Sequence, residues 1–109
     1  MAKGASLRSI RIFPPEQGAP EDAITAALNS ILDSDVRPSV VSMSWGGNGW
    51  SYSRGVLFKR MSRVGIVPVA AAGNEVMDAC VVSPANIAEA ITVGAVEDFY
   101  DMDFFAYYR

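Results

Sequence analysis

Two short stretches carry residue types suited to chemistry on a peptide. The first is Ala70-Ala-Ala-Gly-Asn74-Glu75, where three alanines and a glycine leave an unusually empty chain segment ending at a side-chain amide. A preorganised amide N–H suits the oxyanion that develops during acyl transfer. The second is Val41-Ser-Met-Ser-Trp-Gly-Gly47, a β-prone run that opens into Ser44, Trp45 and Gly46. The end of such a strand leaves N–H and C=O groups with which an extended peptide can pair. Taken singly, each stretch is better accounted for as an ordinary turn, with Gly and Asn ending a strand. A phosphate cradle is disfavoured, because no Gly-Lys-Ser/Thr follows the glycines.

The composition limits what chemistry the chain can hold. Its 109 residues include no histidine and one cysteine. Neither a Ser-His-Asp nor a Cys-His site can be assembled from them, no intrachain disulfide can form, and the ordinary zinc ligand sets are missing. Half of the residues are apolar and 19% are charged, an ordinary globular balance. A net charge of -3 gives no basic footprint for nucleic acid or an anionic membrane, so neither is expected as a partner. No apolar run reaches the ~18 residues that span a bilayer, and Met1-Ala-Lys-Gly-Ala-Ser has no apolar core of a secretory signal.

The elements that must position these residues follow from periodicity. A strand is expected over residues 6–13, stopped by Pro14-Pro15, with a polar loop over 16–20. A helix begins at Pro20, with Glu21 and Asp22 in its first turn and Ile24, Ala27, Leu28 and Ile31 on one face; Pro38 bars its continuation. Residues 39–44 read as a buried strand and 45–50 as a glycine-rich loop. Ser51 or Ser53 caps a second helix with apolar positions Leu57, Met61 and Val64, ended by Gly65. Residues 66–72 and 90–95 are two further strands, with Pro68 inside the first, where it removes a ladder hydrogen bond. Alternating strands and helices predict an α/β fold, a three-layer parallel sheet with flanking helices and right-handed crossovers. Ligands bind such sheets beyond the carboxyl ends of the strands, which points to the loops after Ser44 and Ala72.

Four segments then occur together: Val41-Ser-Met-Ser-Trp-Gly-Gly47, Val69-Ala-Ala-Ala-Gly-Asn74-Glu75, Ser83-Pro-Ala85 and Ala90-Ile-Thr-Val-Gly-Ala95. In order and spacing they resemble the subtilases, and Asp78-Ala-Cys80 before Ser83 is similar to the proteinase K branch. Ala2-Lys-Gly-Ala5 resembles the segment after that family's catalytic-histidine helix. Phe105-Ala-Tyr-Tyr-Arg109 resembles an altered Phe-Ser-Asn-Tyr-Gly, with Ala106, Tyr107 and Arg109 as departures.

The resemblance spans the chain and implies the central part of a subtilisin-like serine endopeptidase domain, an incomplete portion of that fold. The segments bearing the catalytic Asp, His and Ser lie outside it, so the isolated chain is expected to be inactive. By resemblance, Asn74 is the oxyanion-hole residue and Ser44, Trp45 and Gly46 pair with substrate backbone. Ala72, Gly73, Ser83, Pro84 and Ala85 wall the specificity pocket. Three strands (39–44, 66–72, 90–95) are expected as successive parallel neighbours.

No cofactor is expected in this chain itself. In the complete domain a calcium ion is implied, held in part by the carbonyls of Ala88 and Ala90, with its carboxylate ligand beyond Arg109. Implied partners are a peptide or protein substrate and the remainder of the protease domain, and the implied location is extracellular. Cys80 is expected on a reachable loop, its implied disulfide partner lying later than this chain. The alternatives are a non-catalytic subtilase-like segment that binds peptides or partners, an inactive gene copy, or an unrelated α/β ligand-binding domain.

Overall fold

The computed structural model describes residues 3–14 and 18–96. Ala2, most of the expected 16–20 loop's start, and the 105–109 motif lie outside the described residues. The chain divides into two compact units, Met1–Ser34 and Asp35–Arg109.

The first unit holds helix α1, Glu21–Leu32. Pro20 precedes it in extended conformation, and its carbonyl accepts the Ile24 N–H at 3.1 Å. Glu21 and Asp22 place negative charge where the helix dipole favours it. Ile24 and Leu28, four residues apart, are the buried pair on its apolar face. The helix stops at Leu32, well before Pro38, where the Asp33 N–H donates to the Asn29 carbonyl and the Ser34 N–H to that of Ile31.

Residues 6–13 form no strand, contrary to the pattern of their sequence. A strand exists only through ladder bonds to a neighbour, and among the described residues none pairs with this segment. Its side chains are largely exposed, Leu7 at 96%.

The second unit is an α/β layer. Strands β1 (Ser39–Met43), β3 (Ile66–Ala71) and β5 (Ile91–Val93) form a parallel sheet in the order β1-β3-β5. The three strands are thus successive parallel neighbours, as expected. Two-residue strands β2 (Gly47–Asn48) and β4 (Val82–Ser83) pair antiparallel in a separate clip. Helix α2 (Tyr52–Arg63) packs on β3. Ser51 caps it, its hydroxyl accepting the Arg54 N–H at 3.4 Å. Gly65 follows the helix at φ +80°, the left-handed turn for which glycine is suited.

Burial follows the two periods. Along β3, Ile66, Pro68 and Ala70 are buried and alternate with more exposed residues, while Leu57, Phe58 and Met61 of α2 are also buried. Phe58 and Met61 have no exposed surface. Phe58 therefore replaces the expected Val64, which lies beyond the last helical residue and is half exposed. The other face of the sheet carries Val40, Val67, Ile91 and Val93, all exposed. Strand β1 is consequently not buried throughout: it alternates, and only Met43 is fully enclosed.

Pro68 sits in the central strand and yet removes no ladder bond. The Ala72 N–H donates to Val93 on β5, whereas the Gly65 carbonyl accepts from Ser39, the first residue of β1. Amide directions alternate along a strand, so position 68, like 72, faces the β5 side. The β5 ladder begins only opposite Val69, and Glu89 and Ala90 before it lie in a turn. The missing N–H thus points where, among the described residues, no acceptor strand runs.

Candidate functional site

The register of β1 against β3 pairs Met43 with Ala70. Both strands run the same way, so their carboxyl ends emerge side by side. The segments that follow enclose a cleft of about 270 Å³. Ser44, Trp45, Gly46, Gly47 and Asn48 line one side; Ala71, Gly73, Asn74 and Glu75 line the other, and Val82 completes it.

Two glycines permit this close approach. A side chain on Gly46 would place its Cβ 3.1 Å from Val82 Cγ1 and 3.4 Å from the Ser83 carbonyl. Gly73 has φ +106°, and a Cβ there would lie 2.9 Å from Glu75 Oε2. That carboxylate oxygen accepts the Asn74 backbone N–H at 2.8 Å. The Asn74 backbone donor is therefore occupied, and its side-chain amide is what the exposed residue offers to a ligand. Glu75 is the one ionisable side chain among the cleft-lining residues.

The clip of β2 and β4 holds the first wall in place. Gly47 pairs with Ser83 and Asn48 with Val82. The Gly49 N–H donates to the Val81 carbonyl, and Asn86 Nδ2 donates to the Gly49 carbonyl, both at 3.0 Å. Arg54 reaches in from α2: its guanidinium lies 5.3 Å from the centre of the Trp45 ring, and Nη1 donates to Ser83 Oγ at 3.1 Å.

The structure thus brings Ser44, Trp45, Gly46, Gly73 and Asn74 around one cleft. Ala72 lies between two lining residues, half-buried, with its N–H bonded to Val93. Ser83, Pro84 and Ala85 are buried and stand behind the cleft surface, where their neighbour Val82 takes the lining position. Asn48, Val82 and Glu75 were assigned no role by sequence reasoning. Glu75 was visible beside Asn74, but its carboxylate folding back on the Asn74 N–H depends on the local conformation of the turn, which residue types alone do not fix. The Ala88 and Ala90 carbonyls lie in the turn leading into β5, and no group of three or more Cys, Asp or Glu side chains gathers among the described residues.

The profile of the subtilase family matches residues 1–107. The chain belongs to the subtilase family. It is also 36% identical over 95 residues to the extracellular serine proteinase of Thermus sp. (strain Rt41A), a match covering 87% of this chain and 23% of that protein. The subtilase chain thus spans about a quarter of the length of this curated relative.

Cys80 lies on a single 3-10 turn, Ala79–Val81, rather than on an irregular loop, and it is exposed as expected. Asp78 caps that turn, accepting the Cys80 N–H at 2.9 Å. This bond from the Cys80 backbone lowers the Asp78 pKa. The hydrogen bond to the Asp78 carboxylate, with its negative charge, raises the Cys80 thiol above its ordinary value. Thiolate is the reactive form, so accessibility alone does not make labelling fast. The pH profile of thiol alkylation is expected to lie to the alkaline side of a free cysteine, and Asp78→Asn is expected to move it back toward acid. Equal profiles for the two proteins would show that Asp78 does not keep the Cys80 thiol protonated.

Proposed function

We propose that this chain supplies the substrate-binding strand and the oxyanion-stabilising amide of a secreted, subtilisin-like serine endopeptidase. Residues 44–46 pair with the backbone of an extended peptide, and the Asn74 amide donates to the carbonyl oxygen as it becomes an oxyanion. Gly46 lets its segment pack closely on Val82 and Ser83, Gly73 supplies the positive φ of the turn before Asn74, and Ser83 to Ala85 support the wall from behind. The observation that carries the reading is the convergence of the 44–46 and 73–74 segments at the carboxyl ends of adjacent parallel strands. Membership of the subtilase family supports it, and the extracellular relative supports secretion. With no histidine among its 109 residues, the chain takes its general base from elsewhere in the protease.

The test is a titration of the purified chain with an uncharged extended peptide, followed by amide NMR. Shifts are expected in residues 44–48 and 73–75, with no hydrolysis of a chromogenic peptide. Perturbations confined to other surfaces, or turnover that Asn74→Ala abolishes, would overturn the proposal.

A further inference from the structure

We propose that Arg54 is a positioning residue for the peptide-binding cleft, fixing the plane of Trp45 from helix α2 rather than from the loop that carries it. Its effect on peptide binding rests on the function proposed above; its hold on Trp45 does not.

Three observations lead there. The first is where the cation sits. Arg54 is in the first turn of α2, next to the positive end of the helix dipole, and that turn contains no acidic residue. A cation is disfavoured at this end, so helix stability does not account for the arginine. The second is what the side chain touches. The guanidinium lies 5.3 Å from the Trp45 ring centre, inside the range of a cation–π contact. Its Nη1 also donates to Ser83 Oγ at 3.1 Å. Ser83 is only 3% exposed, so this bond ends on a fixed hydroxyl and not on a mobile one.

The third is what those partners belong to. Trp45 lines the cleft directly after Ser44. Ser83 pairs with Gly47 across the β2–β4 clip. One side chain therefore joins β4 and the segment leading into β2 to a helix whose Phe58 and Met61 are fully buried. The wall residues 45–50 include three glycines and have little stiffness of their own. A planar guanidinium can stack on an indole and hydrogen-bond at its edge at once; an ammonium cannot do both.

The consequence is a cleft whose wall is set before peptide arrives. Ordering Trp45 only on binding would weaken affinity, and holding it beforehand removes that loss.

The experiment uses the full chain carrying Trp50→Phe, which leaves Trp45 as the only tryptophan. Arg54→Ala and Arg54→Lys are compared with this parent by Trp45 emission, acrylamide quenching, affinity for the extended peptide, and urea unfolding. In Arg54→Ala, emission is expected to shift to the red, quenching to rise about twofold and peptide affinity to fall about fivefold, with Arg54→Lys between the two. Quenching and emission unchanged in a folded Arg54→Ala chain would overturn the proposal. Should that variant fail to fold, Arg54→Lys decides: raised quenching supports the role, and unchanged quenching overturns it. A parent chain that binds no peptide would refute the function proposed for the cleft, while the quenching comparison would still judge Arg54. Binding by the parent with affinity untouched in both variants would leave the cleft standing and remove Arg54 from it.

Discussion

Phe58→Ala is expected to destabilise the sheet-bearing unit by about 3–5 kcal/mol, read as a large fall in the urea midpoint. Phe58 has no exposed surface and lies on the face of α2 that packs against β3. Ile66, Pro68 and Ala70 supply the buried positions of that strand. Removing the ring loses its transfer free energy and leaves a void that neighbouring helix and strand backbones cannot close without breaking their own hydrogen bonds. A unit of this size has only a handful of kcal/mol in hand, so the variant is expected to be largely unfolded at physiological temperature. Val64→Ala provides the contrast, because Val64 is 47% exposed and outside the helix. It is expected to change stability by about 0.5 kcal/mol or less. Comparable losses from both substitutions would show that α2 is seated on another face.

The second large effect follows from the oxyanion role proposed for Asn74 and concerns turnover by the complete protease proposed above. Asn74→Ala is expected to lower kcat by about 10²–10³-fold with KM nearly unchanged, equivalent to about 3–4 kcal/mol. The split follows from when the amide is used. In the ground state the substrate carbonyl makes little demand on it, whereas the tetrahedral intermediate places a full charge there. The substitution leaves the Asn74 backbone N–H on the Glu75 carboxylate, so the turn after β3 is expected to persist. Steady-state kinetics on a chromogenic peptide provides the measurement. A raised KM with unchanged kcat would place Asn74 in ground-state binding and remove the oxyanion role.

The sequence by itself determined the local elements and the order in which they come. Pro20 with Glu21 and Asp22, Ser51 before α2, and Gly65 after it are signals that act within a few residues, and each marks a real boundary. The motif order also determined the family and the parallel succession of the three sheet strands, which in turn brought residues 44–46 and Asn74 to one cleft. Other features were settled only by tertiary structure, because they depend on what lies across from a residue. Residues 6–13 have a strand's composition but, among the described residues, no ladder partner, and composition alone cannot supply one. Whether Phe58 or Val64 is buried depends on which side of α2 meets β3 and where the helix ends. Pro68 is tolerated because of the direction of its amide and the late start of β5, neither of which is written in its neighbours. Ser83 stands behind the cleft while Val82 lines it because a strand turns successive side chains to opposite faces, and only the pairing with Gly47 fixes which face is which.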